Sequence, residues 1–96
     1  DAIEPEENFN NLYAYPNPVH PTYRGHITIK GLMVDTQVRI LDAAGNLVKI
    51  LEGQGGAAVW DGNNARGQRV ASGVYTAVCN TKSGENHNSV KILIMN

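Results

Sequence analysis

Hydrophobic residues recur in this chain at intervals of two. In "HITIKGL" (26–32), Ile27 and Ile29 alternate with Thr28 and Lys30, and in "TQVRILD" (36–42), Val38 and Ile40 flank Arg39. Successive side chains on a strand point to opposite faces, so this alternation predicts half-buried strands and no helix. "NLYAY" (11–15), "LVKIL" (47–51), "AAVW" (57–60), "GVYTAVCNT" (73–81) and "SVKILIM" (89–95) bring the set to seven. Breakers separate them about every ten residues, the spacing of a sandwich or barrel. "PNPVHP" carries three prolines that cannot donate to a ladder, "AAGN" (43–46) offers a turn at Gly45-Asn46, and "GQGG" (53–56) and "KSGENHN" (82–88) interrupt again.

The pattern predicts an all-β domain, an immunoglobulin-like sandwich of about seven antiparallel strands, because two stacked sheets bury one face of every strand. A small barrel is the alternative. The last strand is apolar on both sides (Val90, Ile92 and Ile94 against Leu93 and Met95), which predicts a place between neighbouring strands or under a partner.

Length and charge narrow the picture. Ninety-six residues suit one small core. There is no apolar run near the ~18 residues of a membrane helix, so no membrane insertion is expected. Residues 1–10 read as an acidic linker from an upstream domain, with the folded domain at 11–96: the first eleven residues hold four acids and no base. The remaining chain has eight Lys or Arg against five acids, all the bases scattered singly. Nucleic-acid binders cluster such bases, so no nucleic-acid partner is expected. The chain starts at an Asp without a signal peptide, as a mature fragment or a domain of a longer protein would. Its single cysteine, Cys79, lies in a strand-like run and reads as a small buried hydrophobe.

The stretch most like a binding site is "WDGNNARGQRVASGVY", Trp60 to Tyr75. It fails the templates it resembles. Counting from Asp61 as a calcium loop, Ala65 stands where an oxygen ligand belongs, Arg66 where glycine belongs and Ser72 where glutamate belongs. No helix follows Gly67 to cradle a phosphate. Ser72 lies in "ASGV", not in a nucleophile elbow. His20, His26 and His87 have no partner at metal-ligand spacing and read as surface residues. No catalytic residue, cofactor or metal is expected. Asp61-Gly62, Asn63-Asn64 and Gly67 fit two successive turns joining two strands.

"NLYAYPNPV", "GHITIKGL", "VRILDAAGNLVKIL", "WDGNNARGQRVASGVYTAV" and a final "KILI", in that order, resemble the C-terminal sorting domain of the type IX (Por) secretion system of Bacteroidetes. That domain is similar to the immunoglobulin-like module of flagellar hook-capping proteins. The resemblance spans residues 11–96. It implies a non-catalytic address on an exported protein, carried from the periplasm to the outer-membrane surface or beyond. The implied partners are the outer-membrane secretion machinery, a sortase that cuts near Asn8 to Asn11, and upstream domains of the same chain. By position, the implied recognition residues are Pro16, Asn17 and Pro18; Gly73, Val74 and Tyr75; and Lys91, Ile92 and Ile94. Family members commonly end on a basic residue, whereas this chain ends Met95-Asn96.

Two other functions fit the same pattern. A retained accessory domain would dock a neighbouring domain, as in a β-propeller-bearing component of the secretion apparatus. A carbohydrate- or calcium-binding module would need an exposed aromatic platform, and Trp60, Tyr13, Tyr15 and Tyr23 read more economically as core or edge residues.

Overall fold

The computed structural model describes residues 4–96. Seven strands follow in order: β1 (Tyr13–Tyr15), β2 (Ile27–Lys30), β3 (Thr36–Leu41), β4 (Leu47–Glu52), β5 (Ala57–Trp60), β6 (Gly73–Thr81) and β7 (His87–Ile94). They form two antiparallel sheets, β1-β2-β5 and β4-β3-β6-β7. The architecture is the immunoglobulin-like sandwich, and the separation into two sheets excludes the barrel.

The period-2 pattern sets what each sheet buries. Ile27 and Ile29 of β2, Val38 and Ile40 of β3, and Ala77 and Cys79 of β6 point inward and are fully buried. Their alternating neighbours face solvent. Trp60 closes one end of the core, with the Tyr75 ring meeting it edge-on at 5.7 Å. The β3–β4 turn takes its shape from Asp42. One carboxylate oxygen accepts the Ala44 and Asn46 N–H groups at 3.0 and 2.9 Å, and Gly45 takes a positive φ of 87°. These bonds hold the Asp42 carboxyl below its ordinary range, the Asn46 N–H contributing most.

The structure departs from the sequence pattern in two places. β7 lies at the edge of its sheet, not between strands. Ile92 and Ile94 point into the core while Leu93 and Met95 stay exposed, so its second apolar face is left uncovered. Of the acidic segment, residues 1–3 lie outside the described residues, and the part from Glu6 packs: Phe9 is 5% exposed within the core, and Glu6 N–H donates to the Leu32 carbonyl at 2.8 Å. Composition alone does not mark such a residue, since one Phe among acids and amides carries no periodicity.

Candidate recognition edge

The "WDGNNARGQRVASGVY" stretch is a small hairpin whose turns are held by its own Asp and Asn side chains. Asp61 accepts the Asn63 N–H at 2.9 Å, and Asn64 Oδ1 accepts the Arg66 and Gln68 N–H groups at 2.9 and 3.0 Å. Asn63 pairs with Arg69 across it, and Trp60 Nε1 donates to the Asn63 carbonyl. Gly62 is needed at its base, where φ is +78° and a Cβ would stand 2.5 Å from an Arg69 guanidinium nitrogen. Burial opposes ionisation of Asp61, but the Asn63 N–H and the Lys49 ammonium at 3.3 Å outweigh it and leave its pKa lowered. An open cleft of about 460 Å³ runs beside the hairpin, lined by Asp42, Asn64, Arg66, Gln68 and Tyr75 among others. Asp42 and Asn64 are committed to their own turns there, and no nucleophile with a base and an orienting acid meets in it.

Elsewhere the chemistry is equally sparse. His20, His26 and His87 are exposed. Among the described residues no three His, Cys, Asp or Glu converge as a metal site. The Cys79 thiol is buried and its pKa is pushed up to about 12, which suppresses the reactive thiolate. Of the aromatic candidates, Trp60 is core and Tyr23 is half-buried with its hydroxyl on the His26 carbonyl. Tyr13 and Tyr15 sit on edge strand β1, exposed and stacked on each other at 5.9 Å.

The nine residues singled out from the sequence do converge. Pro16-Asn17-Pro18, 74 residues from Lys91 in sequence at Asn17, lies along the outer edge of β7. Prolines have no N–H to offer a ladder, and the Asn17 carboxamide supplies the missing rung. Its Nδ2 donates to the Lys91 carbonyl at 2.8 Å, and its Oδ1 accepts the Leu93 N–H at 3.0 Å. The next residue but one continues the pairing: Val19 N–H donates to Leu93 O, and Met95 N–H donates to Val19 O, both at 2.8 Å. On the other side of β7, Gly73, Val74 and Tyr75 pair with Ile94, Leu93 and Ile92.

Within this cluster the residues divide by direction. Tyr75, Ile92 and Ile94 point into the core. Tyr75 also donates its hydroxyl to the Ala71 carbonyl at 2.6 Å, tying the incoming loop to β6 as the tyrosine corner of immunoglobulin-like sandwiches does. Burial, then the Asp42 charge, raises its pKa. Asn17, Pro18, Val74 and Lys91 are exposed, and Pro16 is half-buried. Three members of the cluster were not among those nine. Leu93 is central to it, Val19 is fully buried, and Asn96 staples the chain end to the hairpin through Ser72 Oγ and the Val70 carbonyl. The alternation in "KILIM" was the available signal for Leu93; nothing local marks Asn96.

No curated protein sequence matches the chain. Among solved structures it is similar to PorZ of Porphyromonas gingivalis, described as an essential bacterial surface component of the type-IX secretion system. The two share 31% sequence identity and superpose with a TM-score of 0.80 over 90% of this chain, which spans 12% of the length of PorZ. The model of the FlgD Ig-like domain matches residues 22–85, two sheets' worth of strands from β2 to β6, and the chain belongs to the FlgD Ig-like domain family.

Proposed function

We propose that this domain is a non-catalytic targeting module of an exported protein, read by the outer-membrane machinery of a type IX secretion system. The observation that carries the proposal is the convergence of three distant segments on one half of β7. The similarity to a type IX surface component supports the secretion context.

In this reading the exposed members make contact and the buried members hold them in place. The β7 backbone from Lys91 to Met95 already meets Asn17 and Val19, so a receptor reads side chains there: Val74, Lys91 and Leu93, with Asn17 and Pro18 at the rim. The cargo is the upstream part of the same chain, the destination is the outer-membrane surface or beyond, and removal by a sortase is a later step.

The test is a reporter fused ahead of residues 1–96 in a type IX-competent bacterium. Deleting the last strand is uninformative, because it removes Ile92 and Ile94 from the core. The combined variant Val74→Asp, Lys91→Glu, Leu93→Asp alters only outward positions. It is expected to keep its circular dichroism spectrum and lose export. A folded variant exported at the wild-type rate refutes the proposal.

A second reading is favoured by PorZ, in which a region similar to this chain makes up a small share of a much longer surface component. There the domain is a retained accessory that docks neighbouring domains. An antibody against the domain distinguishes the two, since a retained domain stays on the mature surface protein and a sorted one is lost from it.

A further inference from the structure

The segment Glu6–Asn11 is attached to the sandwich at each turn of its path. Glu6 bridges Met33 in parallel fashion through its N–H on the Leu32 carbonyl. Asn8 Oδ1 accepts the Asn10 N–H at 3.0 Å and curls the chain, which seats Phe9 in the core. The Phe9 carbonyl accepts Nδ2 of Asn88, on β7, at 3.0 Å. Asn11 then passes directly over Gly31, which has a φ of +87° and where a Cβ would run into the Asn11 carbonyl oxygen. The segment is a strap from the β2–β3 connection across to β7.

We propose that this strap shields its own peptide bonds, so that proteolytic removal of the domain cuts before Glu6 or waits on release of Phe9. A protease binds its substrate extended, taking up backbone groups and side chains on both sides of the cut. Here the Glu6 N–H, the Phe9 ring and the Phe9 carbonyl are already occupied by the sandwich. When opening and closing are fast, cleavage follows the fraction of molecules with the strap undocked. Shielding is a property of the fold and stands whether or not the domain is a sorting signal. Its use as a control on processing rests on the targeting reading, and Asn88 places the strap on the same strand as the recognition edge.

The test is limited proteolysis of the 96-residue chain, with sites assigned by mass spectrometry. Chymotrypsin should cut after Phe9 at least about tenfold more slowly in the folded chain than in a synthetic peptide of residues 4–14, as a buried Phe demands. Asn88→Ala and Gly31→Ala should each speed that cut severalfold. Phe9→Ala should speed cleavage by a glutamate-specific protease after Glu6 and Glu7; the Glu4 bond precedes proline and serves no such protease. Continued protection of the Cys79 thiol from alkylation shows that each variant remains folded. Chymotrypsin cutting the folded chain as fast as the peptide overturns the proposal. So does Phe9→Ala with Cys79 shielded and glutamate-specific cleavage unchanged.

Discussion

Asn17 offers the sharpest test of how the recognition edge is held. Replacing it with Ala removes two hydrogen bonds to β7, at 2.8 Å to the Lys91 carbonyl and 3.0 Å from the Leu93 N–H. An intramolecular hydrogen bond contributes about 0.5–1.5 kcal/mol net. Two such bonds contribute about 1–3 kcal/mol, and because both groups lie at an exposed edge where water replaces the lost partner, the loss falls in the lower part of that range, about 1–2 kcal/mol. In a domain of this size that lowers Tm by about 5–12 °C. Urea unfolding followed through buried Trp60 should show the midpoint falling with an unchanged slope. Hydrogen exchange adds positional detail: the Leu93 amide should lose protection, whereas the Met95 amide, bonded to the Val19 carbonyl, should lose less. Asn17→Asp should cost at least as much as Ala, because it sets a carboxylate oxygen against the Lys91 carbonyl. If Asn17→Ala stays within about 0.3 kcal/mol of wild type, or Asn17→Asp matches wild type, the side chain is not the rung that replaces the proline ladder.

Three further outcomes follow from the same geometry. Tyr75→Phe keeps the ring against Trp60 and deletes only the bond to Ala71, so chemical denaturation should show a loss of about 1 kcal/mol. The Cys79 thiol should resist alkylation at pH 8 in the native state and react once the chain is unfolded, where its pKa returns to about 8.5. Asp42, Glu52 and Asp61 all have folded pKa values below their unfolded ones. Their contribution is therefore complete above the unfolded carboxylate range near pH 4 and is lost as pH falls through the folded values. The urea midpoint should hold level from pH 7 to about 5 and drop below 4. Asp61→Asn, which retains an acceptor for the Asn63 N–H but no charge for Lys49, should make that drop shallower.

The sequence by itself determined the strands, the turns and what the hairpin is not. Alternation in "HITIK" and "TQVRIL" is a local property, and it decided which side chains face the core before any partner strand was known. Asp42 and Asn64 act on N–H groups two to four residues away, so their turn chemistry was legible in the same local way. The failure of "WDGNNARGQRVASGVY" as a calcium or phosphate loop was also legible, because those templates are spacings. Only the tertiary structure decided that Asn17 meets Lys91 and Leu93, that β7 is an edge strand, and that Phe9 belongs to the core. Each depends on which strands become neighbours, and that is set by how the whole chain closes on one core. A carboxamide between two prolines has no periodicity to reveal the rung it supplies, and an apolar face looks the same in sequence whether a strand, a partner or solvent lies beyond it.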